Sequence, residues 1–135
     1  MLFPKEDDVT RVWRTVCDAV IDDTLGTTAK VATVDPTSTK EERLICVYTQ
    51  DFSNLEDVRR VLDEMIDLGL APREGRGIYY KCDAYTYLGI ESDNPFKLKA
   101  SLYSSKDLLS MSKPTKGPST ATKEKKNGKL DGWVF

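Results

Sequence analysis

The chain has 135 residues, with 20 Lys+Arg, 22 Asp+Glu and no histidine. That length suits one domain with one core. The missing histidine removes the commonest general base, the commonest metal ligand and every Ser-His or Cys-His nucleophile pair.

Other sequence features narrow the chemistry further. There is no CxxC, no GxxxxGKS/T and no GxGxxG, and the GRG at Gly75–Gly77 is too short to be a phosphate loop. No apolar run approaches the roughly 18–20 residues of a membrane span. The opening MLFPKEDDV has no basic region before its acids, so it does not read as a signal peptide. Cys17, Cys46 and Cys82 are widely spaced and odd in number, as expected of reduced core thiols in a cytoplasmic or nuclear protein. Charge is divided: 14 basic and 20 acidic residues through Met111, then 6 lysines against 2 acids. No metal, cofactor or membrane partner is expected.

Taken in order, MLFP reads as the end of a strand stopped by Pro4. Val9, Val12, Trp13, Val16, Cys17 and Val20 then fall on one face of a helix. Glu6, Asp7 and Asp8 crowd its first turn, where the helix dipole favours anions, and Gly26 is the expected stop. Ala29–Val34 is a short strand and Asp35–Glu42 a polar loop. Arg43–Thr49 (RLICVYT) is a strand with little polar interruption, so it belongs inside a sheet. Ser53 and Glu56 have capping-box spacing ahead of a helix over Glu56–Leu68, with Val58, Val61, Leu62 and Met65 inward and Gly69 as its stop.

After the loop Ala71–Gly77, Ile78–Asp83 is a strand, and Ala84–Ile90 extends it or forms the next. Ser92–Pro95 is a turn. Phe96, Leu98, Ala100 and Leu102 alternate with Lys97, Lys99, Ser101 and Tyr103, the pattern of a strand exposed on one face. Ser104–Met111 is a short capped helix. The pattern predicts an α+β domain over residues 1–111: a curved antiparallel sheet with two main helices packed on one face. Residues 112–135 are lysine-rich and nearly devoid of residues that bury area, which predicts a basic, disordered tail. Its terminal LDGWVF is apolar again.

The strings ICVYTQDF, EDVRRVL and YKCDAYTYLGI, with the AKVAT before them, resemble the basophilic leukemia-expressed protein family of eukaryotes over about residues 1–111. That family is uncharacterised and is similar in fold to translation initiation factor 4E, the messenger-RNA cap-binding protein. The resemblance implies a sheet whose concave side could hold a ligand. Family members carry sequence before this point, including a Gly-Lys-Trp. The resemblance therefore implies an N-terminus shortened relative to the family, and a lost strand would expose a sheet edge to another chain. Cap binding needs two tryptophans around a cationic guanine. Here Trp13 lies on the apolar helix stripe, Trp133 lies near the C-terminus, and the loop DPTSTKEE has no aromatic residue.

The expected function is a non-enzymatic binding module of initiation-factor-4E-like fold that takes RNA or a nucleotide. Tyr80, Lys81, Tyr87, Lys97 and Lys99 are the candidate lining, with rings to stack bases and ammonium groups for phosphate. The alternative is a protein-interaction adaptor working through an exposed sheet edge, with no small ligand. Without the tryptophan sandwich, a methylated-cap resin should fail to retain the protein. Retention competed by free cap analogue but not by GTP would reverse that expectation.

Overall fold

The computed structural model describes residues 1–111 and the backbone of residues 133–134. It is an α+β fold. Helix α1 (Glu6–Ile21) is followed by strands β1 (Thr28–Val31) and β2 (Ile45–Thr49), helix α2 (Leu55–Asp67) and strand β3 (Tyr79–Cys82). Short helix α3 (Asp83–Tyr87), strand β4 (Tyr103–Ser104), helix α4 (Ser105–Ser110) and strand β5 (Trp133–Val134) complete it. The sheet order is β1-β2-β5-β3-β4, and every pairing is antiparallel.

Strand alternation divides the sheet into two faces. Ile45 and Val47 of β2 and Tyr80 of β3 join one buried cluster. The same cluster takes in Val12 and Val16 of α1, with Val58, Val61, Leu62 and Met65 of α2. Both long helices therefore cover one face, as their 3.6-residue stripes require. Trp13 packs against this core.

Helix ends are set by local chemistry, not always at the expected residue. α1 stops before Gly26: Asp23 takes a positive φ of 57°, and Thr24 N–H reaches back to the Ala19 carbonyl at 3.0 Å. Gly26 serves a different need. A Cβ there would stand 2.1 Å from the Tyr48 carbonyl oxygen, so only glycine lets this segment lie against β2. α2 is capped by Asn54, whose side-chain oxygen accepts from the Asp57 N–H at 3.1 Å. Ser53 instead donates to Asp51 in the preceding turn. At the far end Gly69 (φ 68°) closes the helix, with Leu70 N–H bonded to the Met65 carbonyl.

The EDVRRVL stretch is a hub. Arg60 donates to the carbonyls of Thr24 at 2.7 Å and Leu25 at 3.0 Å, tying α2 to the end of α1. Arg59 pairs with Asp63 at 3.1 Å and donates to the Leu108 carbonyl, tying α2 to α4.

Three expectations are corrected. Residues 84–90 are not a strand: α3 begins directly after β3, and Gly89 ends it with a positive φ. Residues 96–102 are not a strand either. The Asn94 side chain bonds Glu91 O, Leu98 O and Leu98 N–H, and Lys97 adopts a left-handed φ of 55°. Finally, the expected disordered tail includes Trp133 and Val134, which form β5 in the middle of the sheet. The remainder of that expectation, residues 112–132 and 135, lies outside the described residues.

Asn54→Ala should destabilise the fold by about 0.5–2 kcal/mol through the lost cap, more than Ser53→Ala, as read by chemical denaturation. Val61→Asp should prevent folding, because it buries an unpaired carboxylate among apolar groups. A folded Val61→Asp protein would contradict this core.

Candidate functional site

Register decides which side chains share the sheet face away from α1 and α2. Directly paired antiparallel residues point to the same side. Lys30 pairs with Cys46, and Tyr48 lies two residues further along β2. Tyr48 and Lys81 both pair with Val134, from opposite sides. Lys30, Cys46, Tyr48, Lys81 and Tyr79 thus belong to one face, away from Ile45, Val47 and Tyr80. One strand lies between Tyr48 and Lys81, so their backbones stand roughly 9.5 Å apart.

The face has a polar centre. Lys30 Nζ sits 5.2 Å from the Tyr48 ring centroid, a cation–π contact. A hydrogen bond with Tyr48 holds the Lys30 pKa above its ordinary value, and the Asp83 charge adds to this. Burial pushes the half-buried Tyr48 phenol up. Burial likewise pushes the Cys46 thiol up, so Cys46 is not an activated nucleophile. Tyr79 is 50% exposed. Among the described residues, no group of three or more His, Cys, Asp or Glu converges as a metal site would.

The five residues expected from the sequence do not form one lining. Tyr80 is 0% exposed and lies in the core, where its hydroxyl shares a 2.6 Å hydrogen bond with Thr49 Oγ1. Burial raises its pKa to about 12. Its ring stacks on Tyr103 at 5.8 Å between centroids, so it is not available to a base on the open face. Lys81, its chain neighbour, is half-buried on the opposite face. Tyr87 projects from α3, 89% exposed. Lys97 and Lys99 lie in the turn organised by Asn94, not side by side on a strand. Lys30, Tyr48 and Asp83 were missed. The alternation of Lys30 and of Tyr48 within their strands was visible, but their register across strands was not.

An α+β domain with lysines and tyrosines on the sheet face away from its two long helices is the class these features define. A family model, basophilic leukemia-expressed protein Bles03, matches residues 1–89. The chain belongs to that family. No solved structure matches it.

The Tyr80–Thr49 bond spans the width of a strand and predicts a measurable contribution. Tyr80→Phe leaves the Thr49 hydroxyl without this partner and should cost about 1–3 kcal/mol. Adding Thr49→Val should recover part of that loss. Urea melts of the three variants test it, and an unchanged midpoint for Tyr80→Phe would contradict it.

Proposed function

We propose that this protein is a non-enzymatic binding module of initiation-factor-4E-like fold whose sheet face away from α1 and α2 takes an anionic nucleotide or an RNA end. The observation that carries the reading is the placement of Lys30, Tyr48, Tyr79 and Lys81, from three strands, on one face. Tyr48 and Tyr79 would stack on bases, worth about 1–3 kcal/mol each. Lys30 and Lys81 would meet phosphate. Asp83, near enough to act on the charge of Lys30, offers an acceptor for a base amino group. The lining differs from the one expected from sequence: of that set only Lys81 remains.

Through Met111 the chain is acidic, with 20 acidic against 14 basic residues. Affinity must therefore come from this local array and not from overall charge. The competing reading is a protein-interaction adaptor with no small ligand.

Fluorescence anisotropy with a short single-stranded RNA at two salt concentrations distinguishes the two readings. Lys30→Glu with Lys81→Glu should abolish binding and remove about 0.7 per lysine from the salt slope. Lys97→Glu with Lys99→Glu should change affinity far less. Equal loss in both doubles, or no wild-type binding at low salt, would overturn the reading and leave the adaptor.

A further inference from the structure

β1 is an outer strand of the sheet, and among the described residues it pairs with β2 alone. Its backbone groups therefore divide. The Ala32 N–H bonds the Leu44 carbonyl at 2.8 Å, continuing the register that sets Val31 opposite Ile45 and Lys30 opposite Cys46. In an antiparallel ladder, residues bonded to the neighbouring strand alternate with residues whose N–H and C=O point the other way. Ala29, Val31 and Thr33 accordingly direct theirs outward, and among the described residues nothing bonds them. Thr28, Lys30, Ala32, Thr33 and Val34 are all exposed.

Folded proteins guard such edges with charge, proline or a bulge. Residues 28–34 hold a single charge, Lys30, and no proline. The Lys30 ammonium lies over the Tyr48 ring, on the β2 side of the strand and not along its outer edge. The edge is thus open to main-chain pairing.

The strand also fits a copy of itself. Two identical strands pair antiparallel about a two-fold axis, with outward-bonding residues facing one another. Centred on Lys30, that pairing sets two ammonium groups directly opposite, which is destabilising. Centred on Ala29, it needs the N–H of Thr27, which is already bonded to the Tyr48 carbonyl at 2.9 Å. Centred on Val31, it sets Val31 against its own copy, Ala29 against Thr33 and Lys30 against Ala32. No like charges are then opposed.

We propose that β1 pairs antiparallel with β1 of a second copy of this chain, about a two-fold axis at Val31. The axis is perpendicular to the sheet, so the faces bearing Lys30 and Tyr48 lie on the same side in both copies and join into one surface. The pairing uses main-chain groups and does not rest on nucleotide binding.

Sedimentation equilibrium of the full chain without RNA, over a range of loading concentrations, tests this. The mass should move from one chain towards two. Ala32→Lys sets a lysine opposite each Lys30 and should weaken the dimer about tenfold. Adding Lys30→Glu makes both cross-strand pairs attractive and should restore it. Hydrogen exchange supplies a second measurement on the unaltered chain: the Ala29, Val31 and Thr33 amides should slow as concentration rises. A single-chain mass throughout, an Ala32→Lys dimer as tight as the unaltered one, no rescue by Lys30→Glu, or exchange at those amides indifferent to concentration would each overturn the proposal. If a variant fails to fold, mass and exchange of the unaltered chain decide.

Discussion

The hydrogen bond between Tyr80 and Thr49 holds β2 and β3 one strand apart, and much of the molecule follows from that spacing. It joins two hydroxyls in the core at 2.6 Å. Burial keeps the Tyr80 phenol un-ionised, with its pKa near 12. A buried pair of this kind is costly to break from one side alone. It joins β2 and β3, which β5 separates in the sheet. Tyr80 turned inward puts Tyr79 and Lys81 outward, and β2 divides in the same way between Ile45 and Val47 on one side and Tyr48 on the other.

The helices sustain this arrangement from behind. α2 buries Val58, Val61, Leu62 and Met65 completely. Arg60 binds the backbone carbonyls of Thr24 and Leu25, beyond the end of α1, and Arg59 binds the Leu108 carbonyl near the end of α4. The two arginines of EDVRRVL are thus structural: they tie α2 to the segment after α1 and to α4. A change in α2 would be felt at the candidate face, because β2 and β3 share one core cluster with α2.

The sequence by itself determined the long helices α1 and α2, the strand β2 and the mixed fold class, but not α3, whose segment reads as a strand. Those depend on periodicity within a segment: the 3.6-residue stripe of Val58, Val61, Leu62 and Met65, and the unbroken apolar run of β2. It also contained Gly69, which ends α2 by its own backbone freedom. Local signals failed where two residues could do one job or one pattern could serve two structures. Asn54 and Ser53 are both good caps, and the turn at Asp51 engaged Ser53. The alternation of Phe96–Leu102 looked like a strand until the Asn94 side chain closed a turn there. The candidate site was the least legible part. Alternation states which residues share a face within a strand, but only pairing between strands brings Lys30, Tyr48 and Lys81 together, and only the assembled sheet places residues 133–134 between β2 and β3. Register and strand order are set by contacts between residues far apart in the chain. These form only when the core has collapsed around Tyr80, so they belong to the tertiary structure and not to any segment of the sequence.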